Sequence, residues 1–234
     1  MKIAAIGDLH CRTSSAGELR QLLAGVADEA EILLLAGDLT DTGLPAEADV
    51  LLGELESLKL PMIAVLGNHD HESGQPEVLC ERLQAAGVTV LDGSVCEVGG
   101  VGFVGTKGFC GGFDDLFIQP FGEQALKAFI QSSLDESVRL ENALAKLDCD
   151  RKVAILHYAP IRATLEGEPL ELYAFLGSSR LANALERRGV DLIVHGHAHH
   201  GSPFGQTRDG IPVHNVCRFV QARHTERAYA VFEV

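Results

Sequence analysis

One unit of sequence recurs three times in the first third of the chain. In each copy a short apolar run ends in glycine and a polar residue, and a segment with helical periodicity follows. The polar residues Asp8, Asp38 and Asn68 lie 30 positions apart, which is about the length of one strand–helix unit of a parallel sheet. Because the runs are apolar on both faces, they predict buried parallel strands with these polar side chains at one carboxyl edge.

The remaining periodicity predicts an α/β chain whose second half is richer in strands. Helices are predicted over about 15–29, 45–58, 77–86, 123–147 and 176–188. Further strands are predicted over 88–91, 95–98, 101–105, 152–156, 191–195, 212–216 and 228–234, with Gly99-Gly100 as a hairpin turn. No linker or low-complexity segment interrupts the chain, so a single domain over residues 1–234 is predicted.

Composition and charge narrow the class of protein. Hydrophobic residues make up 46% of the chain and charged residues 22%, the balance of a globular protein with a sizeable core. Acidic residues outnumber basic ones, 33 against 19, and the formal net charge is −14. A field of that sign repels the nucleic-acid backbone and anionic membranes, so we expect a small substrate and no membrane partner. The charge weighs against nucleic acid without excluding it, because a bound metal pair adds positive charge locally.

The cysteines and the first residues predict a cytoplasmic protein. The opening run Ile3–Ile6 is too short for a signal peptide and is soon followed by Asp8, and no apolar run reaches the length of a membrane span. The six cysteines are scattered without a CxxC pair, which is typical of free thiols in a reducing compartment. A structural zinc protein is not expected either, because such sites favour cysteine-rich tetrahedra.

Metal-ligating residue types collect at five predicted strand ends. They are Asp8-Leu9-His10, Gly37-Asp38, Gly67-Asn68-His69-Asp70, His157 and Gly196-His197-Ala198-His199. In the two motifs with i, i+2 spacing, both side chains leave the strand on one side and can reach one site. Imidazole and carboxylate together suit manganese, iron, zinc or cobalt.

These motifs resemble those of the calcineurin-like metallophosphoesterases. The family's order of D-x-H, G-D, G-N-H-D/E, H and G-H-x-H occurs here between residues 8 and 199. Each motif alone is short, but five in order after apolar runs are specific. The resemblance implies a four-layer α/β/β/α sandwich of two mixed sheets with flanking helices.

The resemblance also implies a division of roles among the motif residues. One divalent metal ion would be bound by Asp8, His10, Asp38 and His199, and a second by Asp38, Asn68, His157 and His197. Asp38 would bridge the two ions. His69 would stand near the substrate as the proton donor, oriented by Asp70, while Asp41 would lie in the supporting loop. An imidazole suits a proton donor because its ordinary pKa lies near neutrality.

The expected reaction is hydrolysis of a small phosphomonoester or phosphodiester by a metal-bridging hydroxide. Two cations about 3.5–4 Å apart can clamp an in-line phosphoryl displacement and lower the pKa of a shared water. Manganese is expected first, with iron, zinc, nickel or magnesium as alternatives.

Three rival functions stay open. A nuclease or a protein phosphatase would share the fold, although the absence of a basic stripe weighs against a nuclease. A non-catalytic metal-binding scaffold should lack ligands or His69, and this chain has them all.

Some residues near the motifs are further candidates for substrate contact. The Gly- and Phe-rich segment 106–121 is long for a connector and is interpreted as a lid over the substrate. Lys107, Tyr158, Arg162 and Arg218 lie close to motif-bearing strands and are candidates for contacts with phosphate or leaving group.

Overall fold

The computed structural model describes residues 1–234 and contains thirteen strands and eight α-helices. The strands are β1 Lys2–Ile6, β2 Ile32–Ala36, β3 Met62–Val65, β4 Val88–Val90, β5 Ser94–Val98, β6 Val101–Thr106, β7 Gly112–Phe113, β8 Leu116–Phe117, β9 Arg151–Leu156, β10 Leu192–His195, β11 Phe204–Gln206, β12 Pro212–Asn215 and β13 Ala230–Glu233. The helices are α1 Glu18–Leu22, α2 Val26–Glu29, α3 Pro45–Leu55, α4 Pro76–Ala85, α5 Gln124–Leu144, α6 Tyr173–Leu176, α7 Ser179–Glu186 and α8 Arg218–His224.

The strands build two mixed sheets. The first sheet has the order β13-β1-β2-β3-β4, in which only β13 runs antiparallel to its neighbour. The second has the order β11-β12-β10-β9-β6-β5, with β11 and β5 antiparallel at its two edges. The three strands predicted from the 30-residue repeat are therefore parallel neighbours, as expected.

Three hydrophobic clusters separate four layers. Between the sheets, Ile3 and Leu34 of the first sheet pack with Phe103 and Ile155 of the second. The outer face of the first sheet is covered by α1, α3 and α4, and the outer face of the second by α5 and α7. Since alternate residues of the central strands point into different layers, every residue of β2 is buried. The predicted α/β/β/α sandwich of two mixed sheets with flanking helices is confirmed.

Several predicted elements differ in detail from the structure. The helix predicted over 15–29 is two short helices, because Gly25 adopts a left-handed φ of 87° that ends one and begins the other. The helix predicted over 176–188 is also divided, since Gly177 and Ser178 are extended and pair with Ala159 and Gly112.

Segment 106–121 is folded as well. It contains the β7–β8 hairpin, and the amide of Gly111 donates to the carbonyl of Ala174 at 2.8 Å. No helix of the structure combines the length and the apolar character that crossing a membrane requires.

Candidate metal centre

The five motifs meet at one edge of the two sheets. Asp8, Asp38 and Asn68 follow β1, β2 and β3 of the first sheet, while His157 and His197 follow β9 and β10 of the second. Both groups lie at the carboxyl ends of parallel strands, where open α/β sheets place their sites.

Four of these side chains form what we call the first ligand cluster. Asp8, His10, Asp38 and His199 bring one ligand atom each to within 4.8 Å of one another. His199 Nε2 lies 3.1 Å from Asp8 Oδ1 and 3.4 Å from His10 Nε2, which is 3.8 Å from Asp38 Oδ2. Both carboxylates are buried.

The second ligand cluster shares one carboxylate with the first. Asp38, His157 and His197 also lie within 4.8 Å of one another. His157 Nε2 is 3.3 Å from Asp38 Oδ1 and 2.9 Å from Asn68 Oδ1, so the amide predicted as a ligand belongs to this cluster too. One oxygen of Asp38 faces each cluster.

The second cluster has the donor chemistry of a cation site. His157 Nδ1 lies 3.0 Å from the carbonyl of Ala36, and because a carbonyl only accepts, we assign the ring hydrogen to Nδ1. The lone pair of Nε2 then faces the oxygens of Asn68 and Asp38. The backbone amide of His69 donates to Asp38 Oδ1 at 2.9 Å, but the three acceptors still repel one another, and a cation between them would satisfy all three.

His197 is held in a matching way. Its backbone amide donates to both carboxylate oxygens of Asp8, at 3.0 and 3.1 Å. Its Nε2 lies 3.4 Å from the carbonyl of Phe175, which leaves Nδ1 for the ligand cluster. The residues present therefore fit two divalent cations with mixed nitrogen and oxygen ligands.

The backbone is strained at four of the predicted metal ligands. Six residues other than glycine have a positive φ, and four of them are Asp8 at 59°, His10 at 45°, Asp38 at 48° and His197 at 68°. A positive φ is unfavourable for residues with a side chain and persists where the surrounding structure enforces it, commonly at functional sites.

Two motif glycines make room for the ligands of other motifs. A Cβ at Gly67 would overlap the carboxylate and backbone amide of Asp38, and a Cβ at Gly196 would overlap the carboxylate of Asp8. The glycine of one motif thus permits the close approach of a ligand from another, which is why glycine precedes the ligand at these strand ends.

Burial and mutual charge determine how the carboxylates titrate. Burial acts to raise the pKa of Asp8, but the hydrogen bond with His199 and the neighbouring imidazoles outweigh it and lower that pKa below its ordinary value. Burial raises the pKa of Asp38, and the Asp8 carboxylate adds to the rise while His157 opposes it.

The histidines of the ligand clusters differ in the direction in which their pKa is shifted. Burial lowers the pKa of His10 to about 4 and that of His197 well below its ordinary value, so both rings are neutral at pH 7, the form that binds metal ions. At His199 burial also acts to lower the pKa, but the hydrogen bond to Asp8 outweighs it and the pKa is raised. A cation in the first cluster therefore competes with a proton on His199.

His69 stands beside the first ligand cluster. Its ring lies edge-on to His10 with 4.6 Å between the centroids, and its Nδ1 donates to the carbonyl of Asp41 at 2.6 Å. Nε2 is left without a protein partner. Burial acts to lower the pKa of His69, but the hydrogen bond to Asp41 and the Asp38 carboxylate outweigh it, so the pKa is raised.

Asp70 has a different set of contacts from the one predicted. It does not touch the His69 ring, whose orienting partner is the carbonyl of Asp41. Instead its buried carboxylate accepts hydrogen bonds from the amides of Leu39 at 3.1 Å, Thr40 at 2.8 Å and Gly67 at 2.8 Å. The Thr40 hydroxyl adds a fourth at 2.6 Å. Asp70 thereby joins the loops that follow β2 and β3 and positions both Asp38 and His69 through the backbone.

Removing the Asp70 carboxylate is expected to destabilise the fold. Asp70→Ala leaves three amides and a hydroxyl without an acceptor in a dry environment, which should lower the free energy of unfolding by about 3–5 kcal/mol. Urea unfolding followed by circular dichroism measures the change. The exposed Asp115→Ala is the control and should stay near the wild type. An unaltered unfolding midpoint in Asp70→Ala would show that water replaces the carboxylate at little cost.

Of the residues predicted to contact substrate, Tyr158 and Arg218 lie near the ligand clusters and Arg162 does not. Tyr158 lies against His197, with 4.3 Å between the ring centroids. The guanidinium of Arg218 lies 4.6 Å from the ring centroid of Phe219, which packs 5.0 Å from His199. Arg162 is instead stacked on Tyr173 at 5.5 Å and makes no contact with either ligand cluster.

Two supporting residues were not predicted. Phe219 covers His199 from the first turn of α8, and nothing in its sequence context distinguishes it from a core residue. Asn215 is fully buried, and its Nδ2 donates to the carbonyl of Ala198 at 2.8 Å, between the two histidines of the last motif. An asparagine inside the predicted strand 212–216 was the available signal for Asn215.

Comparison with known proteins identifies the family of this chain. A family model described as calcineurin-like phosphoesterase matches residues 1–201, so the chain belongs to the calcineurin-like phosphoesterase family, a class of phosphate ester hydrolases. The matched region includes all five motifs and both ligand clusters.

Individual relatives match this chain over a short stretch or at low sequence identity. A probable cyclic nucleotide phosphodiesterase of Synechococcus sp. is 36% identical over 91 residues, which is 35% of this chain and 34% of that protein. The match thus spans about a third of that relative's length.

Two solved structures share the fold. The structure of TT1561 of Thermus thermophilus has a TM-score of 0.56 at 14% identity, and the match covers 94% of this chain and 90% of that one. A putative 5'-nucleotidase from Staphylococcus aureus in complex with alpha-ketoglutarate has a TM-score of 0.55 at 17% identity, with 92% and 48% covered. At these identities the likeness shows the fold alone.

Proposed function

We propose that this chain, as a single domain over residues 1–234, hydrolyses the phosphate ester bond of a small substrate with two divalent cations. The observation that carries the proposal is the position of Asp38. Its two carboxylate oxygens face different ligand clusters, one with Asp8, His10 and His199, the other with Asn68, His157 and His197. A shared carboxylate is the arrangement that holds two cations close enough to act on one phosphate.

When bound, the pair of cations would supply an activated water and neutralise the charge of the phosphate. The chain's own part is to fix the ligand side chains before substrate arrives. The four hydrogen bonds to Asp70 tie together the loops after β2 and β3, and the surrounding structure enforces the unfavourable positive φ of Asp8 and Asp38.

His69 is proposed as the proton donor to the leaving oxygen. Its Nδ1 is occupied by the Asp41 carbonyl, so Nε2 is the atom that can give up a proton. The raised pKa of His69 favours the protonated ring that this role requires. Asp70 acts as a positioning residue, since it contacts the backbone of the His69 turn and not the reacting groups.

The substrate is proposed to be a small phosphomonoester or phosphodiester. The net charge of −14 opposes polyanions, which argues against a nuclease. The Synechococcus relative, named a probable cyclic nucleotide phosphodiesterase, supports a nucleotide as one class to test. All six cysteines are free, which supports a cytoplasmic location. Manganese is the proposed metal, because it accepts the mixed imidazole and carboxylate ligands of both clusters.

Metal reconstitution tests the proposal. The protein is stripped with a chelator, loaded with Mn, Zn, Fe, Ni or Mg singly, and assayed on nucleotides, cyclic nucleotides and generic mono- and diesters. Two ions per chain and turnover that returns with the metal are expected, with manganese the most effective. The metal-free protein is the control. A reconstituted chain that binds two ions and hydrolyses no ester in the panel would support the non-catalytic scaffold instead.

A further inference from the structure

Large apolar side chains are exposed on two short segments of the second half of the fold. Leu116 in the β7–β8 hairpin is 74% exposed, while Leu170, Leu172 and Phe175 are 66%, 46% and 53% exposed. These four are among ten large hydrophobic residues that the whole fold leaves exposed, so they are concentrated and not scattered. We call them the apolar patch, because contiguous exposed apolar surface commonly marks a place where another molecule binds.

The two segments of the apolar patch border one groove. It has a volume of about 250 Å³, and Leu116, Leu170, Tyr173 and Ala174 are among the seven residues that line it. Arg162 is the one charged residue of the seven, and its guanidinium lies 5.5 Å from the centroid of the Tyr173 ring. The walls of the groove are therefore mostly apolar, as in sites that bind small organic groups.

The apolar patch adjoins the second ligand cluster. The carbonyl of Phe175 lies 3.4 Å from His197 Nε2, so the helix that carries the patch contacts a predicted metal ligand directly. Beside the groove, Phe113 and Tyr173 pack in one hydrophobic cluster with Ala198, the residue that follows His197. One molecule of modest size can therefore contact both the patch and the second ligand cluster.

A row of aromatic rings also connects the metal ligand with the patch. The row consists of Tyr158, Phe109, Phe129 and Phe175. The Tyr158 centroid lies 4.3 Å from that of His197, and successive rings of the row are 5.7, 5.2 and 6.3 Å apart. Lys107 Nζ lies over the two rings nearest His197, whereas Phe129 and Phe175 at the outer end are partly exposed. The apolar surface thus begins at the site and ends in solvent.

Charge limits what can cover the apolar patch. Asp115 precedes Leu116, and Glu171 lies between two leucines of the patch, and both carboxylates are exposed. Two copies of the chain that met patch to patch would bring these carboxylates together, and a net charge of −14 on each copy adds to the repulsion. The same charges repel an anionic membrane. An uncharged hydrocarbon group avoids both penalties.

We propose that the apolar patch binds a hydrocarbon group of the substrate. The inference rests on the proposed function and names its substrate class. His69, the proposed donor to the leaving oxygen, stands beside the first ligand cluster, whereas Phe175 contacts the second. The patch is therefore on the side of the group that stays on the phosphate. The favoured substrate is a phosphodiester whose retained ester group is an apolar alkyl or aryl group.

A series of chromogenic diesters tests this inference. Methyl, butyl and octyl 4-nitrophenyl phosphate share one leaving group and differ only in the retained alkyl group. kcat/KM is measured on the metal-loaded chain at concentrations below micelle formation. The variant Leu116→Ser/Leu170→Ser removes two apolar walls of the groove and keeps the Phe175 contact with His197. Its matched control, Val138→Ser/Val231→Ser, removes two exposed apolar side chains on α5 and β13.

The expected result is a dependence on chain length that requires the patch. Full burial of one methylene group is worth roughly fourfold in binding, and a groove open on one side should give about twofold. kcat/KM should therefore be about 100-fold higher for the octyl than for the methyl ester in the wild type and in the control. In Leu116→Ser/Leu170→Ser the ratio should fall below about 10-fold, and Leu116→Met/Leu170→Met should restore most of it. Metal content should be the same in all forms.

Two kinetic outcomes would overturn the inference. One is a wild type that does not distinguish the octyl from the methyl ester, and the other is a serine variant that keeps the full ratio. Sedimentation tests the other occupants of the patch. A wild-type dimer that the serine variant separates, or wild-type binding to phosphatidylcholine vesicles that the variant loses, would assign the patch to a second copy or to a membrane and would also overturn the inference.

Failure of the proposed function gives a different result. A wild-type chain that hydrolyses no ester of the series would overturn that function and not the apolar site. Calorimetric binding of octylphosphonate and methylphosphonate to the metal-loaded chain then decides the role of the patch separately. Tighter binding of octylphosphonate that the serine variant loses supports the site, and equal affinity of the wild type for both phosphonates excludes it.

Discussion

Asp38→Asn is expected to bind fewer than two metal ions per chain and to lose on the order of 10⁴-fold in kcat/KM, because two-metal chemistry depends on both cations. Asparagine keeps the shape of the side chain and tolerates the φ of 48° at this position, so the backbone is preserved. It replaces two charged oxygens with one neutral oxygen and an NH₂ group. That group would point a donor at one ligand cluster or the other.

Metal content after dialysis and steady-state kinetics measure the effect of Asp38→Asn. The control is Asp114→Asn, because Asp114 also has a positive φ, at 56°, but is exposed and belongs to neither cluster. Thermal unfolding should show that the metal-free forms of both variants are folded. If Asp38→Asn bound two ions and turned over normally, the carboxylate would not be shared and the two clusters would act independently.

The ligand residues at the strand ends could be predicted because the sequence pattern that marks them is local. A buried strand, a glycine and a ligand follow one another within about eight residues, and the 30-residue repeat places Asp8, Asp38 and Asn68 on neighbouring parallel strands. No local sequence pattern encodes how the two sheets are positioned against each other. That His157 reaches across to the Ala36 carbonyl depends on packing between strands far apart in the chain. The grouping of ligands came from the family resemblance and not from spacing.

The features that were not predicted depend on contacts across the fold. The Asp41 carbonyl that orients His69 is a backbone group, and no residue type encodes which backbone atom a ring will meet. Helix α8 has seven residues, too few for helical periodicity to stand out, although it brings Phe219 onto His199. Lys107 could be placed near the site from sequence. Its contacts with the rings of Phe109 and Tyr158 and with the Gly108 carbonyl emerged only from the folded structure.

His69→Ala is expected to keep both metal ions while kcat falls about 10²–10⁴-fold, the range that a positioned proton donor contributes. The ring lies outside both ligand clusters, and its loss removes the hydrogen-bond donor to the carbonyl of Asp41. The fall should be largest for esters with poor leaving groups such as alkoxides. It should be small for 4-nitrophenolate, which leaves without needing a proton.

The pH profile separates proton donation by His69 from a merely structural role. Only the protonated ring can donate, so in the wild type kcat should decline as the pH rises through the raised pKa of His69. That alkaline limb should be absent from His69→Ala. His214→Ala is the control, because His214 is half-buried between Phe204 and Phe232 and touches neither cluster. A variant that lost the same factor with every leaving group and kept the alkaline limb would show that His69 only shapes the site, and the proton would have to come from elsewhere.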